Sequence, residues 1–410
     1  MSERNRVVER LDELGRIGRY EHGIDRPLAS SQERQARALF ASWARASEFS
    51  IAQDVVGNLF ARRDGSDPTR KPILVGSHLD TVKTGGAYDG AYGVVGALCA
   101  LELLQARGTA TTHPIEAVAW AGEEGSRFPL GCLGSSVFTG LCAASYALDL
   151  TDEDGVTLRA ALAAPQTGLL DLPLRANADV AGYLELHVEQ GPILEDAGVV
   201  LGVVTAIAGQ RRLRAIVDGV SGHAGTVPMA MRADALCAAS ELVLALERAA
   251  REQGDAVATV GRTIVEPNGT NVVPGRVTFS LDLRSPDDAK LDAIEAAFAR
   301  AVEDVEKRRG VSIGIESFEK RPPTPMTPML RDAIHRAIAS LGQRALDVPS
   351  GAGHDAMSLG KVVPTAMLFV PSIGGRSHVT QERTADADLV LGVDALAAAI
   401  VQADATLSER

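Results

Sequence analysis

Short apolar segments that end in ionisable residues are the feature that most restricts the fold of this chain. Residues 72–79 (PILVGSHL), 115–125 (IEAVAWAGEEG) and 181–191 (AGYLELHVEQG) are predicted strands, each leading into a glycine-containing or polar turn. A predicted helix over 90–107, ended by Gly108, separates the first two. Strand, helix and strand at this spacing predict an α/β sheet with helices packed on it.

The pattern changes near residue 208. From there, strands that alternate polar and apolar residues combine with two helices, which is typical of a small α+β domain. The predicted strands are 209–220, 258–267, 276–285 and 311–318, and the predicted helices are 229–253 and 286–309, beside earlier helices at 4–20 and 29–46.

A Pro-rich segment, 321–328, leaves this second region, and the apolar segment 362–372 predicts a return to the buried sheet. We therefore expect a discontinuous α/β catalytic domain of about 1–207 and 326–410, with a mixed sheet flanked by helices. The inserted α+β domain of about 208–325 would serve as a lid or an association domain.

The bulk composition excludes several classes of protein. A length of 410 residues exceeds one simple core and indicates two domains. A formal net charge of −12 disfavours nucleic acid and anionic membranes as partners. The four cysteines lack C-x-x-C spacing, and the charged N-terminal segment lacks the apolar stretch of a signal peptide. No apolar run approaches the roughly 18 residues of a membrane helix. We expect a soluble cytoplasmic protein.

Candidate ligands for a metal begin in the segment 76–93 (GSHLDTVKTGGAYDGAYG). His78 ends a predicted strand, where α/β sheets place their sites. Asp80 could orient the imidazole of His78 through the ring nitrogen that does not bind the metal. Asp89 directly precedes a predicted helix, so it is either a helix cap or a ligand, and the segment alone leaves both open.

Glu123 and Glu124 follow the second strand, where two adjacent carboxylates repel and one needs a partner. A cation is such a partner for one of them, and the other could then carry protons; a solvated loop is the alternative. His187 lies in the third strand and His378 in a glycine turn after the last one. With Asp89 and a glutamate, the strand-end histidines would form a ligand set for two zinc-class ions.

A second polar cluster lies in the inserted domain. His223 stands between two glycines, Asn271 in a Pro/Gly loop and Arg284 at a strand end. Together with Arg211 and Arg212 they could bind an anion such as a carboxylate. A solvated face is the alternative for the arginines, more so for Arg211 than for Arg284.

Several motifs in order along the chain resemble one known family. They are GSHLDTV…GGAYDGAYG, AGEEGSRFP, LHVEQGPILE, GHAGTVPM, PNGTNVVPG and SGAGHDAM…GGRSH. The chain resembles the hydantoinase/carbamoylase branch of the zinc-dependent M20-type amidohydrolases from about residue 70 to 385. That branch contains N-carbamoyl-L-amino-acid hydrolases, allantoate amidohydrolases and β-ureidopropionases.

The resemblance implies a role for each matching residue. His78 and His378 match terminal metal ligands, Asp89 the bridging ligand, Glu124 and His187 the remaining ligands, and Glu123 the general base. His223, Asn271 and Arg284 match residues that bind the oxyanion and the carboxylate of the substrate. The remaining substrate contacts that the resemblance implies are Gln190, Arg212, Gly353 and His354.

The resemblance further implies two divalent ions per subunit, first of all zinc, with manganese, cobalt or nickel as alternatives, and a homodimer. The leading expectation is an N-carbamoyl-L-amino-acid hydrolase acting on a small ureido acid. Allantoate amidohydrolase is the nearest alternative, followed by β-ureidopropionase. In related peptidases and deacylases a carboxylate normally replaces His187, which counts against them. A metal-free scaffold of the same fold is the non-enzyme alternative.

Overall fold

The computed structural model of the protein describes residues 6–164, 169, 172–175 and 179–409. The chain forms two compact units. Unit 1 comprises Met1–Thr205 and Met326–Arg410, and unit 2 comprises Ala206–Pro325.

The described chain contains both helices and strands in each unit. The helices are α1 (Arg6–Leu14), α2 (Ser31–Ala46), α3 (Ala91–Ala106), α4 (Leu133–Phe138), α5 (Ala144–Asp149), α6 (Leu158–Leu162), α7 (Ile193–Ala197), α8 (Ala235–Glu252), α9 (Asp288–Arg309), α10 (Pro328–Ser340), α11 (Ala356–Leu359) and α12 (Asp386–Ser408). The strands are β1 (Arg19–Tyr20), β2 (Gly23–Ile24), β3 (Ser50–Gln53), β4 (Leu59–Arg63), β5 (Ile73–His78), β6 (Ile115–Trp120), β7 (Gly182–Val188), β8 (Leu201–Ile207), β9 (Gly209–Asp218), β10 (Gly222–His223), β11 (Val257–Thr259), β12 (Thr263–Glu266), β13 (Val272–Val273), β14 (Arg276–Ser285), β15 (Ser312–Arg321), β16 (Thr324–Pro325), β17 (Ala345–Ser350) and β18 (Thr365–Val370).

A mixed sheet forms the centre of unit 1, as the sequence predicted. Its order is β8–β18–β7–β5–β6–β4–β3, with β17 also paired to β8 and β16 paired to the last two residues of β8. The pairs β5/β6, β5/β7 and β7/β18 are parallel, whereas β3/β4, β4/β6 and β8/β18 are antiparallel. Every residue of the four parallel strands is buried, which explains their near-continuous apolar sequences.

Helices α3 and α12 contribute much of the apolar core of unit 1. They contact each other, and α12 also packs against α10. Among the described residues α12 is the one helix long and apolar enough to cross a membrane, but 56% of its most apolar window is buried inside the protein. This burial is typical of a core helix.

Unit 2 has its own core under an antiparallel sheet. β9 lies between β14 and β15, and β11 and β12 pair along β14. Alternate residues of β9, namely Leu213, Ala215 and Val217, are buried against apolar residues of α8 and α9 such as Leu242 and Phe298. The alternation of polar and apolar residues in these strands therefore reflects one covered and one open face.

Two predicted helices are shorter in the structure. The described part of the helix predicted over 4–20 ends at Leu14. A turn over residues 15–18 follows, in which Gly18 is left-handed (φ +83°), and it leads the chain into β1. The helix predicted over 229–253 begins at Ala235, where the side chain of Asp234 accepts hydrogen bonds from two backbone N–H groups of the first turn. The strand predicted over 258–267 is divided into β11 and β12.

Candidate active site

Four parallel strands bring the candidate ligands of unit 1 to one edge of the sheet. The carboxyl ends of β5, β6, β7 and β18 lie side by side because these strands are parallel neighbours. His78 is the last residue of β5, Glu123 and Glu124 follow β6, His187 is the penultimate residue of β7, and His378 lies in the loop after β18. The topology thus explains how residues scattered over 300 positions meet.

Asp89 lies at the centre of three imidazoles. Its Oδ1 atom is 3.6 Å from Nε2 of His78 and 3.3 Å from Nε2 of His187. Its Oδ2 atom is 3.0 Å from Nε2 of His378, which is also 3.7 Å from Oε1 of Glu124. Two groups that could each hold a metal ion, His78–Asp89–His187 and Asp89–Glu124–His378, therefore share the Asp89 carboxylate.

Hydrogen bonds direct the two buried imidazoles. Nδ1 of His78 lies 3.0 Å from the carbonyl oxygen of Asp80, and Nδ1 of His187 lies 2.8 Å from that of Val188. A carbonyl only accepts, so Nδ1 carries the proton in both rings and each Nε2 lone pair faces Asp89. Backbone N–H of Gly90 donates to Nε2 of His187 at 3.0 Å, in agreement with that tautomer. This is the form that a metal ligand requires.

Asp80 supports the site differently from the sequence-based expectation. Its backbone carbonyl oxygen is the closer acceptor for His78, because its carboxylate Oδ1 is 3.7 Å from the same nitrogen. The carboxylate instead accepts the backbone N–H groups of Glu123 at 3.1 Å and Glu124 at 3.2 Å. Asp80 therefore fixes the turn that carries both glutamates as well as the ring of His78.

The buried charges at this site fit a divalent cation. Burial would raise the pKa of Asp89, but the close contacts of its carboxylate with the imidazoles of His187, His378 and His78 hold that pKa well below its usual range. Burial, assisted by the charge of Asp89, raises the pKa of Glu124 to about 7. Burial likewise raises the pKa of Glu123 well above its usual range, against the effect of His78. Buried carboxylates that crowd together beside imidazoles form a set of donor atoms that could hold a divalent metal ion.

Glu123 lies on the His78 side of this cluster. Its Oε2 atom is 3.8 Å from Nε2 of His78, and its Oε1 atom accepts a hydrogen bond from Sγ of Cys132 at 3.3 Å. A Cβ atom placed on Gly353 would lie 3.7 Å from the same Oε1 atom. Gly353, predicted to contact substrate, therefore leaves space beside the candidate general base.

Gln190 and His354, two more predicted substrate contacts, lie against the candidate ligands. The side-chain amide of Gln190 donates to Oδ2 of Asp89 at 2.8 Å. The buried ring of His354 is centred 4.6 Å from that of His187, and its Nε2 atom is 2.8 Å from Oγ of Ser350. Burial, followed by the charge of His187, lowers the pKa of His354 well below its usual range, so its imidazole is neutral.

Glu382 is a residue that sequence reasoning did not identify. Its buried carboxylate accepts the backbone N–H groups of Tyr88 at 2.8 Å and Asp89 at 3.0 Å through Oε1, and the hydroxyl of Ser377 at 2.8 Å through Oε2. It thus links the Asp89 loop to the His378 loop. The sequence signal that could have identified Glu382 was its position four residues after His378, within the segment 377–382 (SHVTQE).

Unit 2 brings His223 and Asn271 together. β10 pairs with β13, and backbone N–H of Ala224 donates to the carbonyl oxygen of Asn271 at 2.9 Å. Both His223 and Asn271 are exposed. Two short strands therefore hold two of the predicted substrate contacts of this unit on neighbouring loops.

Two of the three predicted anion-binding arginines of unit 2, Arg212 and Arg284, share Asp282. Nε of Arg284 donates to Oδ1 of Asp282 at 2.9 Å, and Nε of Arg212 lies 3.3 Å from its Oδ2. Arg212 also donates to Glu319 at 3.0 Å. Arg211, instead of forming a solvated face, is buried and ion-paired with acidic residues of α9. Asp282 thus holds the guanidinium of Arg284 in place.

Comparisons with known proteins agree with this architecture. Residues 74–402 match the model of peptidase family M20/M25/M40. The chain is 40% identical over 392 residues to an N-carbamoyl-L-amino-acid amidohydrolase of Paenarthrobacter aurescens, covering 95% of each chain. It is 36% identical to the allantoate amidohydrolase of Bacillus subtilis (strain 168), covering 97% of each. A solved hydantoinase/carbamoylase family amidase from Burkholderia multivorans superposes with a TM-score of 0.93 at 36% identity, covering 98% of this chain and 97% of that one.

Proposed function

This chain belongs to peptidase family M20/M25/M40, and from that premise we propose that it is a metal-dependent amidohydrolase that cleaves the ureido C–N bond of N-carbamoyl-L-amino acids. The products are the amino acid, carbon dioxide and ammonia. The observation that carries the proposal is the Asp89 carboxylate, with His78 and His187 on one oxygen and His378 on the other. The names of relatives at 36–40% identity support the substrate class.

Two divalent ions, zinc in the first place, would be held by His78, His187, Asp89, Glu124 and His378. Such ions polarise a carbonyl oxygen and acidify an attacking water. Glu123 lies beside His78 but belongs to neither of the two ligand groups that share Asp89. It would take the proton of the water and deliver it to the leaving nitrogen. The side chain of Glu123 is 11% exposed, which limits the access of bulk water to that proton.

The contacts to substrate belong to the proposal as well. His223 would donate a hydrogen bond to the developing oxyanion, and removal of one such donor typically lowers kcat by about 10²–10³-fold. Arg284 and Asn271 would bind the α-carboxylate, which fixes the ureido carbonyl for attack. Gln190, Arg212, Gly353 and His354 would shape the remainder of the pocket.

A Glu123→Gln variant tests the role of the general base. It should retain the metal content of the wild type and lose at least about 10²-fold in turnover, since the amide keeps the shape but cannot accept the proton. Metal content by atomic emission and ammonia release would be measured on the same preparation. Near-normal turnover of the metal-loaded variant would contradict the proposal. A wild type that binds no divalent metal would instead favour a scaffold of the same fold.

Allantoate is the second candidate substrate, because the allantoate amidohydrolase of Bacillus subtilis matches over 97% of both chains. A panel of N-carbamoyl-L-amino acids, N-carbamoyl-β-alanine and allantoate, each with added zinc or manganese, separates the candidates by kcat/KM for ammonia release. A preference for allantoate would shift the assignment to that reaction without changing the metal site or the role of Glu123.

We further propose a cytoplasmic homodimer formed through unit 2. β15 pairs with β9 on one side and, among the described residues, no strand is paired to its other side. It exposes Ile315 (40%) and Phe318 (60%). An edge strand with exposed apolar side chains suits association with a second copy. Light scattering should give twice the monomer mass; a monomer that is fully active at every concentration would exclude a partner subunit's contribution to the site.

A further inference from the structure

The loop that carries His223, residues 222–232, is held by its own hydrogen bonds. We call it the His223 loop. Backbone N–H of Gly225 donates to Nδ1 of His223 at 3.0 Å. The N–H groups of Thr226 and Val227 lie 3.3 and 3.2 Å from the carbonyl oxygen of the same residue. The chain therefore folds back over the imidazole and binds one of its two ring nitrogens.

These contacts determine which ring nitrogen can donate. A nitrogen that accepts a hydrogen bond has no proton, so the proton of the neutral His223 ring is on Nε2. The ring edge of His223 is exposed, and it therefore presents an N–H donor to whatever lies in front of it. An oxyanion requires a donor of this kind, held in advance in the correct direction.

Arg232 fixes the turn that contains the Gly225 donor. Its Nη2 atom donates to the carbonyl oxygen of Ala224 at 2.6 Å, and its Nε atom donates to that of Val227 at 3.0 Å. These carbonyls stand on either side of Gly225 and Thr226. The planar fork of one guanidinium thus closes the turn across both ends, a geometry that an ammonium group cannot reproduce in full.

We propose that Arg232 is a positioning residue that acts on the reaction through His223. It holds the Gly225 N–H on Nδ1, and thereby keeps the Nε2–H of His223 aimed at the oxyanion. The inference rests on the proposed function, because it takes His223 to be the oxyanion donor. Arg232 itself is not assigned any contact with substrate.

The test is a double-mutant cycle of Arg232→Gln and His223→Ala, measured with the best N-carbamoyl-L-amino acid of the substrate panel. Arg232→Gln should lower kcat by about 10–100-fold, the cost of misplacing a catalytic group by about 1 Å, with KM changed less than about twofold. Arg232→Lys should recover part of the loss. In the His223→Ala background, Arg232→Gln should have no further effect, because the group through which it acts is gone.

Controls separate positioning from folding. Arg251→Gln removes an exposed arginine of the same unit that pairs with Glu247 on α8, and it should leave kcat and KM unchanged. Metal content and melting temperature are measured for every variant. If Arg232→Gln does not fold, the cycle is completed with Arg232→Lys.

Three different results would overturn the inference. If Arg232→Gln lowers kcat by the same factor with and without His223, Arg232 does not act through the imidazole. If His223→Ala retains full activity, the oxyanion role proposed for His223 fails, and the role of Arg232 fails with it. An increase in KM with unchanged kcat would likewise assign Arg232 to substrate binding and reject positioning.

Discussion

Replacement of Gly90 by alanine should displace His78 and weaken the candidate metal site. A Cβ atom on Gly90 would lie 2.4 Å from three atoms of the His78 ring, where ordinary contact begins at 3.4 Å, so the ring must move by about 1 Å. Such overpacking costs about 1–3 kcal/mol. The backbone of Gly90 has φ +63° and ψ −49°, outside the left-handed helical region, which costs a residue with a side chain a further 1–3 kcal/mol or so.

The two costs together predict a loss of about 2–6 kcal/mol in unfolding free energy. At about 2–4 °C per kcal/mol, the melting temperature of the metal-free protein should fall by roughly 4–24 °C. A displacement of about 1 Å also exceeds the tolerance of about 0.2 Å in metal–ligand distances. Gly90→Ala should therefore bind less divalent metal and gain less thermal stability when metal is added.

Gly108→Ala is the matched control. Gly108 has nearly the same φ, +62°, but an added Cβ would meet nothing within 4 Å. The control should show the backbone cost of about 1–2 kcal/mol with unchanged metal binding. Thermal unfolding with and without zinc, and metal content by atomic emission, measure both effects. Equal losses in the two variants, with full metal content in Gly90→Ala, would refute the steric argument.

Two further variants test the surroundings of the site. Glu382→Gln should weaken divalent-metal binding by about 10–100-fold, because the Asp89 loop and the His378 loop both lose a charged acceptor. Competition with a chromogenic chelator measures the affinity, and an unchanged affinity would count against this. Burial would raise the pKa of Glu102, but its hydrogen bonds with Arg10 lower that pKa overall. The pair therefore stabilises the fold fully at a pH above the unfolded-state pKa of about 4.3. This stabilisation is lost as the pH falls through the lower pKa of the folded state. Glu102→Gln should thus cost about 3 kcal/mol at pH 7 and progressively less below pH of about 4, as measured by urea unfolding; a constant difference would contradict the ion pair as the cause.

The sequence predicted the candidate ligands of unit 1 where a local signal marked a strand end. The apolar runs before His78 and Glu123 indicated buried strands, and parallel strands deliver their carboxyl ends to one edge. It could not identify Glu382, because that carboxylate binds the backbone of Asp89 across 293 positions of sequence. Such a contact depends on the tertiary fold and leaves no periodic pattern.

In unit 2 a local signal existed for Asp282. It precedes Arg284 by two residues in LDLRS, so both side chains lie on the same face of β14. The register that pairs Asp282 with Arg212 of β9 then places both arginines on one carboxylate. The alternation along β14 could therefore have indicated the contact between Asp282 and Arg284. The contact between Asp282 and Arg212 requires the strand register, which depends on the partner strand β9.

Asp89 shows why a residue before a helix is hard to assign from sequence. The positive end of α3 favours a carboxylate whether it caps the helix or binds a cation, so the two alternatives share one electrostatic cause. In the structure the cap position is Gly90, and α3 has no side-chain cap, whereas both oxygens of Asp89 face imidazoles. If Asp89 only capped the helix, residue 90 would not have to be glycine. The buried His78 ring does require glycine there, because a Cβ atom on residue 90 would lie 2.4 Å from that ring. This requirement links the glycines of the segment to its ionisable residues.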